Sequence, residues 1–497
     1  MTRTCTGCRC RDGRRSRRWC GHTGLSLRTV WARVPSSTSC LRSCRLRTTC
    51  WRWMLTGSGR ILTPGNWCGW RCRRCAPRLR SICRRWWAMN RVLVLAYYTP
   101  PLGLSGVMRV TKLCKYLPES GWEPVIITVK PVAYYGYDPE LLGDLEGSVL
   151  IRTGSLDANR LIQIVRERAG VRSGGRSAVV PVRSGSRWSR LLNFILLPDA
   201  KIGWLPFALQ AGRRAIAEYQ PRVIFATAPP WTALLAGVRL ARESGLPFVA
   251  DFRDPWPAGF PEPPFYQRPI LRRMLRRIVE TAAVVLVVNP GTGERLRQAL
   301  GDDAGLEAKL EVLENGFDPQ ELAVEPERLE GFSLVYAGNL YENRQEIGAL
   351  VSALQALPDV RLYLAGDADP ASRGLLASSG QAVLLGRVSH SRAVALMKGS
   401  DALLYLGKPK QPVGLKLYEY LGVKRPVIVW GGPDDEAARL VAEFGAGVVC
   451  QTGAELASAV AAIRENPAQF TSRDRQRLDR RFQAQRLAGI FQRLGAG

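Results

Sequence analysis

Two stretches of this chain combine residue types that could bind an anionic, hydroxyl-rich ligand. The first is GKPKQPVGLKLYEYLGVKRPVIV, residues 407–429. Pro412 and Gly414 break the chain, and Leu415 to Leu421 then reads as a short helix carrying Glu419. A glycine turn at a helix start offers N–H groups to a phosphate. A carboxylate one turn deeper can accept hydrogen bonds from a sugar diol. Lys408, Lys410 and Lys416 add positive charge, and Gln411 stands eight residues before Glu419. The plainer alternative is a solvated lysine cluster. The second stretch is YYTPPLGLSGVMRVTKLCKYL, residues 97–117. Pro100 and Pro101 stop a strand, and Gly103, Ser105 and Gly106 make a flexible turn. A helix with apolar Val107, Val110, Leu113, Cys114 and Leu117 follows. Its N-terminus suits an anion, or the glycines serve a tight turn that packing requires.

These stretches need a scaffold, and the hydrophobic pattern supplies one. RVLVLAYY (91–98), EPVIITV (123–129), RVIFATA (222–228), PFVADFR (247–253) and AVVLVVN (283–289) read as buried parallel strands. FSLVYAG (332–338), VRLYLAG (360–366), AVLLGRV (382–388), DALLYLG (401–407) and RPVIVWG (425–431) form a second set. Near-continuous apolar runs separated by helical patterns mark parallel sheets covered on both faces. Ten such runs predict an α/β chain of two doubly wound domains, with the break near residues 319–331, where PQELAVEPERLEG is polar. Both candidate stretches then fall at strand C-terminal ends, where open α/β sheets bind ligands. Residues 169–190, rich in Gly, Ser and Arg, read as a mobile loop. No apolar run reaches the roughly 18 residues of a membrane span, so no transmembrane helix is expected. No short internal repeat is found.

The chain has 497 residues and a formal charge of +29, but the charge is unevenly spread. Residues 1–88 hold 21 Arg, no Lys, one acidic residue (Asp12), 11 of the 13 Cys and 8 of the 14 Trp, without Phe or Tyr. No helical or alternating period runs through them. That composition is what GC-rich DNA gives when read out of frame, so we expect a mistranslated or disordered extension, with Met89 as the true first residue. Cys5, Cys8 and Cys10 with Cys72 and Cys75 offer part of a zinc site, but His22 completes no familiar pattern. The arginines would bind nucleic acid without specificity, and no signal peptide is legible. From Met89 onward the net charge is +9, and the cysteines are Cys114 and Cys450, which fits a reducing compartment without a disulfide framework.

Taken together, residues 89–497 resemble the family-4 (group 1) glycosyltransferases. MNRVLVLAYYTPPLGLSGVMRV looks like the family's opening strand and Gly-rich loop, and IFATAPPWTALLAG and PFVADFRDPW resemble later segments of the first domain. VLENGFDP (312–319) resembles the Asn-Gly-x-Asp motif where the family's chain crosses between domains, and LVYAGNLYENRQE the opening of the donor domain. QPVGLKLYE falls on the family's paired-glutamate motif. The resemblance implies the GT-B fold, two Rossmann-like domains facing across a cleft. It divides the chain into the extension 1–88, an acceptor-binding domain 89–322, a nucleotide-sugar-binding domain 323–480 and a C-terminal helix 481–497 returning to the first domain.

The same resemblance assigns roles. Glu419 would hold the nucleotide ribose. Gly414, Leu415 and Lys416 would line the donor sugar and diphosphate, and Gly338, Asn339 and Arg344 would also bind the donor. Arg344 would supply the phosphate-binding base, Asn339 replacing a frequent Arg. Gly386 to Val388 would lie near the nucleobase. The first acid of the pair is Gln411 here, which can bond sugar hydroxyls without charge. DFRDPW sets Asp251, Arg253 and Asp254 at a strand end facing the cleft. Arg253 and Asp254 are the catalytic candidates, to position a substrate or, alternatively, to tie a loop. The resemblance implies transfer with retention from a UDP- or GDP-linked sugar to a glycan or lipid-linked acceptor, in cell-surface polysaccharide or lipopolysaccharide biosynthesis. It implies no cofactor, no metal and no specific nucleic acid. A nucleotide-sugar 2-epimerase on the same fold is the alternative, weakened by the single histidine after Met89, His390. A non-catalytic sugar-binding protein is another, favoured by Gln411.

The expected location is the cytoplasm, at the inner face of the membrane. In PILRRMLRRIVE (269–280), Ile270, Leu271, Met274, Leu275, Ile278 and Val279 form one stripe, and Arg272, Arg273, Arg276 and Arg277 the other face. With Trp188, Leu191, Leu192, Phe194 and Ile195, this suits contact with anionic lipid, or a helix packed on its own sheet with a solvated basic face.

Overall fold

The computed structural model describes residues 89–103, 105–131, 138–157, 197–256, 264–301, 305–340, 344–407 and 413–495. The extension 1–88, the loop 169–190, Trp188 to Ile195, and Lys408, Lys410, Gln411 and Pro412 lie outside the described residues.

The first half folds as β1 (Asn90–Leu95), α1 (Ser105–Tyr116), β2 (Trp122–Val129), β3 (Val149–Thr153), α2 (Leu205–Tyr219), β4 (Val223–Ala228), α3 (Thr232–Ser244), β5 (Phe248–Phe252), α4 (Arg268–Thr281), β6 (Val284–Val287), α5 (Pro290–Leu300) and β7 (Leu310–Val312). The second half comprises β8 (Phe332–Ala337), α6 (Arg344–Gln355), β9 (Val360–Ala365), α7 (Pro370–Ser378), β10 (Ala382–Gly386), α8 (His390–Gly399), β11 (Ala402–Leu406), α9 (Leu415–Val423), β12 (Val427–Trp430), α10 (Glu436–Glu443), β13 (Gly447–Cys450) and α11 (Gly453–Glu465). A last helix, α12 (Arg480–Gly495), follows.

All strand pairs named are parallel. The first sheet runs β3-β2-β1-β4-β5-β6-β7 and the second β10-β9-β8-β11-β12-β13. The central strands are Val-, Ile- and Leu-rich and almost wholly buried, because helices cover both faces. Among the described residues, thirteen strands stand where ten were expected. The additional three, β3, β7 and β13, are all edge strands and mostly half-buried, so their side chains carry less of the apolar signal.

Local chemistry sets the helix starts. Asn289, Asp369, Ser389 and Thr452 each accept a backbone N–H from the first turn of α5, α7, α8 and α11, a contact typically worth about 1 kcal/mol. One face of the first sheet packs under α2 to α5. The other packs under α1 and α12, where Leu487, Ile490 and Phe491 meet Val92, Val94 and Phe225. The chain therefore crosses between the halves twice. The crossings touch: Phe317 N–H donates to the Leu478 carbonyl at 3.0 Å and Arg480 N–H to the Phe317 carbonyl at 3.0 Å. Gly316 permits this approach, since a Cβ there would lie 1.9 Å from the Leu478 oxygen. No helix among the described residues is long and apolar enough to cross a membrane.

Candidate active site

In the second sheet the strand order reverses between β8 and β11, and their C-terminal ends open a crevice. α9 begins there. Its N-cap, Gly414, has no side chain with which to accept a first-turn N–H. Gly414 N–H donates to Tyr405 Oη at 3.1 Å, and Ala337 N–H donates to Tyr420 Oη at 2.8 Å. Two tyrosines thus fix the start of α9 and the end of β8. Lys416 lies over Gly338: a Cβ on Gly338, at φ +143°, would fall 1.4 Å from Lys416 Nζ. The same ammonium stands 5.0 Å from the centroid of the Tyr336 ring. The crevice therefore joins a bare backbone floor, a helix N-terminus and a cation, all of which favour an anion.

Glu419 sits one turn into α9, partly buried. It makes no hydrogen bond or ion pair with another described residue. Burial raises its pKa and Glu321 adds repulsion, while His390, Lys416 and Arg480 oppose the rise. Asn339 ties two loops together: its Oδ1 accepts Asp367 N–H at 3.0 Å, and its carbonyl accepts Tyr336 Oη at 3.3 Å. Gly386 ends β10 at φ +65° and lines a cavity of about 130 Å³ with Leu364, Gly366, Ala368, Arg373 and Leu384. Val388 packs partly against the core beneath α8. Arg344 is the first residue of α6, and its side chain, like that of Ser105, lies outside the described atoms. The structure thus brings Gly338, Gly414, Leu415, Lys416 and Glu419 together.

The first sheet reverses between β1 and β4. Gly103 and Gly106 flank the start of α1 there. Arg253, just after β5, donates from Nε to the Ala228 carbonyl at 3.2 Å and from Nη2 to the Pro229 carbonyl. Its buried Nη1 has no partner among the described residues, and lies 3.3 Å from where a Cβ on Gly106 would stand. A guanidinium N–H therefore points at the glycine turn. Burial lowers the Arg253 pKa, and burial raises that of the half-buried Asp254 against the pull of Arg253. Asp251 corrects the expectation of a shared cleft position. It is still within β5, in a sheet covered on both faces, and is fully buried. Arg109 Nη2 donates to Asp251 Oδ1 at 2.8 Å and Thr227 Oγ1 to Oδ2 at 2.7 Å.

Sequence reasoning missed a cluster built on α1. Lys112 Nζ lies 2.5 Å from Asp144 Oδ2, 2.5 Å from Glu321 Oε1 and 3.0 Å from Asp318 Oδ2. Lys115 Nζ lies 2.7 Å from Asp318 Oδ2, and Tyr116 donates its hydroxyl to the same carboxylate. Burial alone would raise Asp318, but the bonds from Lys115, Tyr116 and Lys112 hold it down to about 2. Asp144, Asp318 and Glu321 are close enough together to hold a cation, and the Lys112 ammonium bonds all three. His390 Nε2, from α8, stands 3.4 Å from Glu321 Oε2, which links the second half to α1. The available signal was the spacing of Arg109, Lys112, Lys115 and Tyr116 along one side of a helix.

Comparison with known proteins addresses the family. Residues 106–316 match the model of the glycosyl transferase 4-like domain, and residues 331–466 that of the glycosyl transferases group 1. The chain belongs to the group 1 glycosyltransferases. Among solved structures, this glycosyltransferase is similar to sucrose-phosphate synthase from Thermosynechococcus elongatus, with TM-score 0.54 and 16% identity over 82% of this chain and 99% of that one. HepE from Anabaena, in complex with UDP and glucose, gives TM-score 0.52 and 16% identity over 82% and 100%. A glycosyltransferase from Rickettsia africae gives 0.52 and 15% over 82% and 98%. At such identities the likeness shows the fold, two facing Rossmann-like domains of the GT-B type. No curated protein sequence matches the chain.

Proposed function

We propose that this glycosyltransferase moves a sugar from a UDP- or GDP-linked donor to a glycan or lipid-linked acceptor, with retention of configuration, in the assembly of a cell-surface polysaccharide or lipopolysaccharide. The observation that carries this reading is the crevice at the start of α9. Lys416 lies over Gly338 there, and the Glu419 carboxylate, one turn deeper, has no protein partner among the described residues. The α9 amides and Lys416 would hold the diphosphate, and Glu419 would accept hydrogen bonds from the ribose hydroxyls. As the bond between the sugar and the diphosphate breaks, negative charge grows on the leaving nucleotide. Lys416, with Arg344 at the start of α6, would offset that charge where it develops. Across the cleft, Arg253 Nη1 and Asp254 would position the acceptor hydroxyl beside the glycine turn of α1. The UDP and glucose held by HepE make UDP-glucose the first donor to try. The membrane's inner face is the location such a lipid-linked acceptor would impose.

The test is thermal melting of the protein with UDP, GDP, ADP, dTDP and CMP in turn, followed by nucleotide release from the matching donor. A ligand at about 100 times its Kd stabilises by about 2.7 kcal/mol, enough to shift the melt. Release that depends on an acceptor supports transfer. Epimer formation without acceptor would replace the proposal, and so would binding without turnover.

A further inference from the structure

The described surface carries five exposed large apolar side chains, and three of them stand within six residues at the start of α4: Phe265 (81% exposed), Tyr266 (37%) and Ile270 (44%). Helical spacing places Ile270 in the apolar stripe of this helix, suited either to lipid contact or to packing on the sheet. The stripe that the sheet actually takes up is Leu271, Leu275, Ile278 and Val279, with Met274 partly covered. Ile270 falls instead on the outer side, in line with Arg273 and Arg277 at helical spacing. Those two arginines are exposed and make no ion pair with another described residue. Glu280, at the far end, is the one exposed acid of α4.

We infer that the outer face of α4 is a docking surface for an anionic lipid bilayer, into whose interface Phe265, Tyr266 and Ile270 insert while Arg273 and Arg277 lie at the headgroups. For its purpose this rests on the lipid-linked acceptor proposed above. The surface itself is argued from its side chains. An aromatic and aliphatic tip continuing into a guanidinium stripe is the arrangement that buries apolar area below the headgroups and keeps charge at their level. A soluble polyanion would meet the arginines but would leave Phe265 in water. The lipid is therefore the occupant that satisfies both halves of the surface.

The experiment places the photo-crosslinking residue p-benzoylphenylalanine at position 265 of the full chain. The protein is irradiated with vesicles of phosphatidylglycerol and phosphatidylcholine in equal parts, or of phosphatidylcholine alone. Reading a crosslink at one position separates this face from residues 1–88, whose arginines would bind the same vesicles elsewhere. Lipid capture from the anionic vesicles and not from the neutral ones is the expected result. Each basic residue near such a surface contributes roughly 1 kcal/mol, a factor of about five. Combining Arg273→Ala and Arg277→Ala should therefore raise the vesicle concentration for half-maximal capture by about 25-fold. No capture, equal capture from both vesicles, or binding to heparin without lipid capture would each overturn the inference. Melting with nucleotides is run on the same variants. A retained nucleotide shift without capture overturns the surface alone, whereas capture without any nucleotide shift leaves the surface standing and removes the donor reading.

Discussion

Replacing Glu419 by glutamine separates a ligand-binding carboxylate from a structural one, because the two roles predict opposite changes in stability. In the free protein Glu419 makes no bond to a described residue, and burial raises its pKa. A hydrogen bond to a charged group contributes roughly 1.5–3 kcal/mol net. Losing that from the ribose corresponds to a nucleotide Kd weakened by about 10- to 150-fold. Glu419→Gln, which keeps one carbonyl acceptor, should fall at the low end and Glu419→Ala at the high end. Stability should not follow. A carboxyl whose folded pKa exceeds its unfolded value contributes stability that is complete below the unfolded pKa and is lost as pH rises through the folded one. Glu419→Gln removes that loss, so at neutral pH the variant should melt no lower than the parent, and its stability should vary less with pH above the usual carboxylate range. Nucleotide affinity in the parent should fall as acid protonates the same group. Titration calorimetry with UDP and GDP, beside urea unfolding over a pH series, reads all three quantities. An unchanged Kd would refute the argument, and so would a stability loss at neutral pH as large as the loss of binding energy.

Four further outcomes follow from the geometry. Lys416→Ala should lower kcat by about 10²- to 10³-fold with little change in melting, as removal of a preorganised donor to developing charge does; Gly338→Ala should lower it similarly by displacing the same ammonium, as donor-turnover assays would reveal. Arg109→Leu leaves Asp251 buried without its ion-pair partner, and should cost about 3–5 kcal/mol in urea unfolding. The Glu321 contact raises the His390 pKa, so the stability it lends is complete below the ordinary histidine value of 6.5 and lost as pH rises through the folded value. A pH series of melts should show that loss in the parent and not in His390→Gln.

The fold was legible where burial was complete. The ten expected strands include every interior strand of both sheets, since residues covered on two faces must be apolar throughout. Three of the four edge strands described failed for the same physical reason, while the fourth, β10, showed through its apolar run AVLLG. LEV in β7 and GVVC in β13 are short and mostly half-buried, so they do not stand out. In the crevice, Gly414, Lys416 and Glu419 announced themselves by type and spacing because they lie close together in sequence at the start of one helix. The α1 cluster did not. Arg109 meets Asp251 across 142 residues and Lys112 meets Glu321 across 209, and no local pattern encodes such a meeting. Ile270 errs the other way: helical spacing assigns it to the apolar arc, but it lies at the margin of that arc, beyond the reach of the sheet.

The return of α12 has a consequence for how the chain is built. Phe491 packs edge-on against Trp122 and Phe225, 5.3 Å and 5.9 Å between ring centroids. The first sheet therefore finishes its core with a helix drawn from the far end of the chain. The second domain is in effect an insertion within the first. A ribosome releases its whole sheet, β8 to β13, before the helix that closes the earlier one. The usual order, in which the domain made first folds first, need not hold here: residues 332–465 can close while the first domain still lacks the helix that covers one face of its sheet beside α1. A chain cut short just before Arg480 would spare the domain nearest the cut and spoil the one synthesised first. Supplying residues 480–495 as a separate peptide should repair it.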